Sequence, residues 1–153
     1  MSSVFKICIA KKASSPPILK KNINAVKNKG IEGDRYYFEK GKWSRKDKPH
    51  QQISLIEFEN IQFVNEHFNK KFNYEDFRRN IITKNIRLND LVGQNIIVGN
   101  AELKVIKLRH PCLYLANLLN QDEKLVKLLR LRGGIACEIV KSGTIKINDK
   151  IIS

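Results

Sequence analysis

The sequence predicts a mainly β or α+β fold, arranged as a mixed barrel with a few peripheral helices. Short apolar runs rich in Ile and Val recur along the chain. Turn signals such as Gly99-Asn100 and Ser142-Gly143 separate several of these runs, as in β-hairpins. Helical patterns are inserted between them without a regular alternation of strand and helix. This arrangement favours strands linked by hairpins over repeated βαβ units.

The first third of the chain is predicted to contain one buried strand, at residues 4–10, followed by polar segments. Residues 11–29 are rich in Lys, Asn and Ser and are typical of a long surface loop. A weak strand at residues 23–26 is the alternative for part of that loop. Residues 30–35 contain two glycines and predict a turn, and residues 39–49 are polar and basic, as in an exposed loop.

One amphipathic helix is predicted over residues 54–68. Ser54 and Glu57 have the spacing of a capping box, in which the hydroxyl caps the first turn and the carboxylate reaches back. The apolar residues that follow at helical spacing are Phe58, Ile61, Val64 and Phe68. We therefore expect this helix to pack its apolar face on a sheet.

The second half of the chain predicts several short strands and two short helices. The strands are expected at residues 77–82, 94–98, 102–108, 135–140 and 144–147, with a last short apolar piece after Asn148-Asp149. Residues 88–93 indicate a turn or a single helical turn. The helices are predicted at 112–119 and 122–131, and Gly133-Gly134 ends the second one. No internal repeat is visible, so residues 1–153 are expected to form a single domain.

The composition is that of an ordinary globular chain with a strongly positive charge. Lys and Arg number 29 against 15 Asp and Glu, a net charge of +14. Because no apolar run approaches the roughly 20 residues of a membrane span, a membrane protein is not expected. The composition also argues against a collagen-like or disordered chain. Such a charge attracts phosphates, polyanions or acidic protein surfaces, although 21 of the cations are Lys and a generic solvated surface explains them as well.

The three cysteines, at positions 8, 112 and 137, lack the spacing of a zinc site or a disulfide framework. A reducing cytoplasm is the expected setting. Pro111 suits the first position of a helix, which places Cys112 in the first turn, where free N–H groups stabilise a thiolate. A thiolate can attack sulfur or carbon or ligate a soft metal. Burial as a small apolar residue is the alternative for Cys112 and the expectation for Cys8 and Cys137.

Two polar segments offer groups that recognise anions. Arg78 and Asn80 would share one face of a predicted strand, with Arg79 on the other face, and a guanidinium suits phosphate or carboxylate. Gln52 and Ser54 lie at the predicted start of the helix, where anions bind readily. Surface ion pairing and a plain loop are the respective alternatives.

Taken in order, the motifs of the chain resemble the MOSC domain, named for the C-terminal domain of molybdenum cofactor sulfurase. The resemblance covers about residues 4–152. Its motifs are Gly30-Ile31-Glu32-Gly33-Asp34-Arg35, Gln52-Ile53-Ser54-Leu55-Ile56 with Glu59, Arg78-Arg79-Asn80-Ile81-Ile82-Thr83, Leu91-Val92-Gly93, Pro111-Cys112 and Gly143-Thr144-Ile145. It implies a MOSC-type β-barrel. Asn85 stands where the family often has glycine, a mild departure because Asn tolerates a left-handed backbone.

The resemblance implies that the chain binds the molybdenum cofactor, a pterin that carries a phosphate and a dithiolene. It makes Cys112 either the molybdenum ligand of a reductase of N-hydroxylated compounds or the carrier of a sulfur transferase. It also implies a set of residues that face the cofactor, namely Arg35, Arg78, Asn80, Gln52 and Ser54.

The sequence contains neither a desulfurase domain nor an iron–sulfur domain. A desulfurase, a molybdoenzyme or an electron-donor protein is therefore the expected partner. The alternative function is a basic phosphate-binding, nucleic-acid-binding or protein-interaction module without catalysis. Against nucleic acid, no RNA-binding motif occurs and the aromatic residues are not interleaved with the basic ones.

Overall fold

A computed structural model of the chain describes residues 1–13, 15–37, 51–110, 116–117 and 123–153. These residues form eleven strands and two α-helices, so the predicted mainly β class is confirmed. The strands are β1 (Ser3–Ile9), β2 (Ile18–Lys20), β3 (Asn22–Val26), β4 (Gly30–Ile31), β5 (Ile53–Glu57), β6 (Ile81–Lys84), β7 (Asn95–Val98), β8 (Ala101–Leu108), β9 (Ile135–Lys141), β10 (Gly143–Lys146) and β11 (Ile151–Ile152). The helices are α1 (Phe58–Phe68) and α2 (Glu123–Leu128), and two 3₁₀ turns lie at Tyr74–Phe77 and Leu88–Leu91.

The strands are divided between two sheets. An eight-stranded sheet has the order β11-β7-β8-β9-β5-β6-β1-β2, and a three-stranded sheet has the order β10-β3-β4. Strands β5 and β6 are parallel, whereas the other pairs are antiparallel. An isolated bridge between Ser3 and Lys150 and three backbone hydrogen bonds join the start of the chain to residues 148–151, but β1 and β11 form no ladder of paired residues. The described strands therefore form no closed barrel, and the predicted MOSC-type barrel is not confirmed.

Two hydrophobic clusters lie on opposite faces of β5 and β6. Leu55 and Ile81 belong to the larger cluster, which the two sheets enclose. Their chain neighbours Ile56 and Ile82 belong to the second cluster, beneath α1 and α2. Successive side chains of a strand point to opposite faces, so this pair of parallel strands is buried on both sides, as is usual for parallel strands.

The helix predicted over residues 54–68 begins later than expected. Residues Ile53–Glu57 form β5, and α1 begins only after Glu57, whose side chain makes no capping hydrogen bond. The capping box at Ser54 is therefore wrong. Because β5 is buried on both faces, its run of consecutive apolar residues lacks the alternation that identifies a half-buried strand.

Most other local predictions agree with the structure. Strand β1, the β7–β8 hairpin and the strands β9 and β10 lie within about two residues of their predicted places. The polar stretch after β1 also contains β2 and β3, so the alternative of a strand there is confirmed. Asn85 has a left-handed backbone, with φ of 62°. The predicted loop at 39–49 and most of the predicted helix at 112–119 lie outside the described residues.

No helix in the described part of the chain has the length and apolar character needed to cross a membrane.

Candidate functional site

Asn80 lies just before β6 and joins three strands of the large sheet. Its backbone oxygen accepts a hydrogen bond from Cys8 N at 2.8 Å, and its Nδ2 donates to Cys8 O at 3.3 Å. Its Oδ1 accepts bonds from the backbone N and the Oγ of Ser54, at 3.0 and 3.2 Å. The Asn80 amide thus holds the end of β1 against the starts of β5 and β6.

Ser54 and Gln52 are also engaged with the protein backbone. Ser54 Oγ accepts a bond from Asn80 N at 3.2 Å. Gln52 Oε1 accepts a bond from Ile139 N, on β9, at 2.8 Å. The structure therefore brings three predicted site residues to the starts of the neighbouring strands β5 and β6, but their polar atoms are used to hold strands together.

Arg35 is held at the end of β1 by the carboxylate beside it. Asp34 is fully buried, and its carboxylate accepts bonds from Ala10 N at 3.0 Å, Tyr36 N at 3.3 Å and Arg35 Nη1 at 3.2 Å. Arg35 N donates to Ala10 O at 2.7 Å, and its guanidinium lies 4.5 Å from the Tyr36 ring centroid. A guanidinium has five N–H donors, so this arrangement orients Arg35 without exhausting its donors.

The Gly-Asp-Arg turn depends on Gly33. Its φ is +90°, a conformation that other L residues rarely adopt. A Cβ at this position would also lie 3.1 Å from Ile9 Cδ1. Gly33 therefore allows the turn to pack closely on β1 and to place Asp34 and Arg35 there.

The sequence predicts Arg78 and Arg79 on a strand, but in the structure they lie before β6. Arg78 ends a 3₁₀ turn with φ of 59°, so β6 begins only at Ile81 and the expected alternation of faces does not apply. Arg78 Nη1 donates to Ser15 O at 2.6 Å. Arg79 Nε donates to Gly133 O at 2.8 Å, and its Nη1 donates to Phe77 O at 3.3 Å. Both arginines are buried.

The charges of Arg35 and Arg78 converge on the thiol of Cys8. The pKa of this thiol is raised to about 12, mainly by burial and to a smaller extent by the carboxylates of Asp34 and Glu75, while the two guanidiniums lower it. Cys8 Sγ donates to Arg79 O at 2.9 Å. Cys8 is therefore a protonated core thiol at neutral pH, which agrees with the expectation for this residue.

Cys137 is a second core thiol, also as expected. It is fully buried, and burial alone raises its pKa. Neither Cys8 nor Cys137 offers a thiolate for a metal. Within the described ranges, no group of three or more His, Cys, Asp or Glu residues could hold a metal ion.

Cys112, the predicted nucleophile or metal ligand, lies outside the described residues. The structure does describe the chain that leads to it. Strand β8 ends at Leu108, and Arg109 N donates to Gly134 O at 2.8 Å. The neighbouring carbonyl, Gly133 O, is the acceptor of the Arg79 guanidinium. Arg109, the first residue after β8, thus lies next to the carbonyl that anchors Arg79.

Sequence reasoning missed the parts that Asp34 and Arg79 play. Asp34 directly precedes Arg35 in a glycine-containing turn, and that position was the available signal for a paired, buried carboxylate. For Arg79 the local pattern held no such signal, because its acceptor Gly133 is 54 residues further along the chain.

These observations define a class of protein: a mainly β fold in which buried arginines and strand-joining amides surround one end of a mixed sheet. A family model described as "MOSC domain" matches residues 42–152. The chain belongs to the MOSC domain family.

Solved structures share this fold. The YUAD protein from Bacillus subtilis matches with a TM-score of 0.81 and 18% identity, over 99% of this chain and 94% of that one. YiiM from Geobacillus stearothermophilus matches with a TM-score of 0.77 and 15% identity, over 99% and 74%. YiiM from Escherichia coli matches with a TM-score of 0.72 and 17% identity, over 100% and 70%. A search of curated proteins gave no match.

Proposed function

We propose that the chain binds the molybdenum cofactor near the end of β1 and uses Cys112 as a molybdenum ligand or as a sulfur carrier. The observation that carries this proposal is the convergence of Arg35 and Arg78 on one point of the fold. They come from distant parts of the chain, yet Arg35 N bonds to Ala10 O at the end of β1, and Arg78 lies two residues before Asn80, whose Nδ2 bonds to Cys8 O. Membership of the MOSC domain family supports the same assignment.

The donor set at this end of the sheet fits an anionic ligand. Two guanidiniums are present, and the carboxylate bonded to one of them, Asp34, also accepts two backbone N–H bonds. Guanidinium groups bind phosphate through paired N–H donors. Arg35 and Arg78 would therefore hold the phosphate end of the cofactor.

Asn80, Ser54 and Gln52 have a positioning role in this proposal. Their hydrogen bonds to backbone and to one another fix the end of β1 and the start of β5, and join the start of β5 to the middle of β9. Fixed strand ends keep the two guanidiniums in place before a ligand arrives, which lowers the cost of ordering them on binding.

The bound cofactor would supply a molybdenum centre able to reduce an N-hydroxylated compound. In the reductase form of the proposal, Cys112 contributes its thiolate as a soft ligand, and electrons come from a partner protein. In the sulfur-carrier form, the same thiolate attacks the persulfide of a desulfurase, forms a new S–S bond and releases the desulfurase thiolate. Both forms need Cys112 to be ionised and accessible.

The test is the molybdenum and pterin content of the protein purified from a host supplied with molybdate. We expect equimolar cofactor in the wild type, and loss of both components in Arg78→Gln. Cys112→Ser should lose molybdenum. Lys104→Gln, which removes one exposed charge on β8, is the control and should keep both. Wild-type protein without molybdenum or pterin would overturn the proposal, and full molybdenum in Cys112→Ser would remove Cys112 as a ligand.

Mass spectrometry separates the two forms of the proposal. Incubation with a cysteine desulfurase and free cysteine should add one sulfur atom to Cys112 in the sulfur-carrier form. Cys112→Ser is the matched control, because it retains the two buried thiols. A wild-type protein that gains no sulfur would exclude the carrier form.

The net charge of +14 supports a second candidate, a module that binds phosphate polymers. Binding to RNA and DNA should then stay tight at physiological salt and fall steeply as salt is raised further. Binding that disappears at physiological salt would show that the positive charge attracts nucleic acid only nonspecifically.

A further inference from the structure

A polar pocket lies at the opposite end of β5 from Ser54. Its volume is about 390 Å³. Three residue steps along the strand separate Ser54 from Glu57, or about 10 Å. The residues that line the pocket are Glu57, Asn60, Arg87, Asn89, Arg130, Leu131 and Arg132. None of them belongs to the motifs that carry the family resemblance.

All three cations of this pocket are arginines. This choice is unusual in a chain with 21 lysines and 8 arginines. The guanidinium has a rigid fork of N–H donors that matches the oxygens of phosphate and carboxylate, whereas lysine is a point charge. The composition of the pocket therefore favours recognition of an oxyanion over general solvation.

The guanidinium groups are available to a ligand. Arg87 pairs with Asp90 at 3.5 Å, but the two side chains are 82% and 67% exposed, so water screens this pair. Arg132 lies over the Phe63 ring, 4.1 Å from its centroid, and donates Nη1 to Leu128 O at 3.2 Å. These two contacts orient Arg132 and leave most of its five N–H groups for a ligand.

Leu131 lies between two of these arginines in an unfavourable conformation. Its φ is +70°, which is uncommon for a bulky residue, and its apolar side chain is 66% exposed. Asn89 Nδ2 donates to Leu131 O at 2.9 Å and holds the turn. Such local strain persists only when its surroundings enforce it, and it is concentrated at binding sites. Here the turn presents Arg130, Leu131 and Arg132 together at the pocket.

Glu57 supplies the negative charge that limits what the pocket can bind. Burial is the main reason why the pKa of this carboxyl is raised, and its Oε2 accepts a bond from Asn60 Nδ2 at 3.1 Å. With Asp90 nearby, the three guanidiniums keep an excess of positive charge. The pocket is therefore suited to one compact anionic group rather than to a polyanion.

We propose that this pocket binds an organic phosphate monoester. Arg87, Arg130 and Arg132 hold the phosphate oxygens, and the exposed Leu131 side chain contacts the apolar part of the ligand. The volume falls in the range of about 300–1,000 Å³ that is usual for small-molecule sites. This site is independent of the proposed cofactor site at the other end of β5.

The test is calorimetric titration of the full chain with phenyl phosphate and with inorganic phosphate at constant ionic strength. We expect both to bind, and phenyl phosphate to bind more tightly because it also contacts Leu131. Arg130→Gln should weaken the binding of phenyl phosphate by about tenfold or more, as the loss of a charged hydrogen bond predicts. Lys104→Gln removes the same charge outside the pocket and should change the affinity less than about twofold.

A second variant, Glu57→Gln, is expected to increase the affinity for phenyl phosphate instead of lowering it. Glu57→Gln removes a negative charge beside the phosphate and keeps an acceptor for Asn60, so it should strengthen binding several-fold, an outcome that misfolding cannot produce. The proposal is overturned if wild-type protein binds no phenyl phosphate at millimolar concentration. Equal losses in Arg130→Gln and Lys104→Gln would overturn it too. So would binding that survives in Arg130→Gln but is abolished in Arg78→Gln, because the phosphate would then occupy the other site.

Discussion

The described arginines contrast most sharply at the two ends of β5. Near Ser54, the side chains of Arg35, Arg78 and Arg79 are buried and donate to carboxylate or carbonyl oxygens. Near Glu57, Arg87 and Arg130 are exposed beside an open pocket. A buried guanidinium has lost its hydration and must be satisfied by protein atoms, whereas an exposed one keeps its water until a ligand replaces it. The same residue type thus helps to hold strands and turns together at one end and stays in contact with water at the other.

The largest expected effect distinguishes a buried from an exposed arginine. Arg79→Gln should lower the free energy of unfolding by about 3 kcal/mol, because Gly133 O and Phe77 O lose charged hydrogen bonds in the interior. Arg87→Gln, on the exposed side, should stay within about 0.5 kcal/mol of the wild type. Urea unfolding followed by circular dichroism measures both. Similar changes in the free energy of unfolding for Arg79→Gln and Arg87→Gln would show that the buried and exposed arginines do not differ in their contribution to stability.

The second prediction concerns the Cys8 thiol and the free energy of unfolding in alkaline solution. The pKa of Cys8 is about 12 in the folded chain against an ordinary value of 9.0, so the unfolded chain loses this proton first. The stabilising contribution is therefore complete below pH 9 and is lost as the pH rises from 9 to 12. By pH 10.5 the wild type should lose about 2 kcal/mol more than Cys8→Ala does.

Unfolding curves of the wild type and Cys8→Ala at several pH values test this second prediction. Cys137 is present in both proteins, so its effect cancels in the comparison. Curves that stay parallel from pH 8 to about pH 11, a range that spans most of the expected change, would show that burial does not raise the pKa of Cys8 in the folded chain.

The smallest expected effect concerns the strained turn of the exposed pocket. Leu131→Asn should stabilise the protein by about 1 kcal/mol, because Asn tolerates a left-handed backbone and is at home in water. Leu19→Asn is the matched control: Leu19 is half exposed on β2, outside the left-handed region, and should gain nothing. Thermal unfolding measures the pair. A destabilised Leu131→Asn would mean that the leucine side chain makes contacts that outweigh its strain.

The fold was predictable where the pattern is local. The β7–β8 hairpin could be located because Gly99-Asn100 separates two β-rich runs, and β1 because its apolar run is bounded by polar segments. Strand β5 was mistaken for a helix because Leu55 and Ile56 are buried on opposite faces, which removes the alternation. The separate sheet of β10, β3 and β4 depends on pairing between residues far apart in sequence, which no local pattern specifies.

For the candidate site, the sequence predicted which of the described polar residues lie near one another, but not which atoms they contact. The order of the motifs identified Arg35, Arg78 and Asn80, and the structure brings all three to the end of β1. That Asn80 binds Ser54 follows only from the pairing of β5 with β6. The pocket around Arg130 has no contiguous motif, because its arginines belong to two segments more than 40 residues apart.

The isolated bridge between Ser3 and Lys150 has a consequence for how the chain folds. Backbone atoms of Ser2 and Val4 bond to Asn148, Asp149 and Ile151, so the first strand finds these partners among residues that are synthesised much later than itself. Contacts between such distant residues carry a high entropic cost of loop closure and form late. During synthesis, strand β1 must therefore wait for residues 148–151 before this side of the sheet is complete.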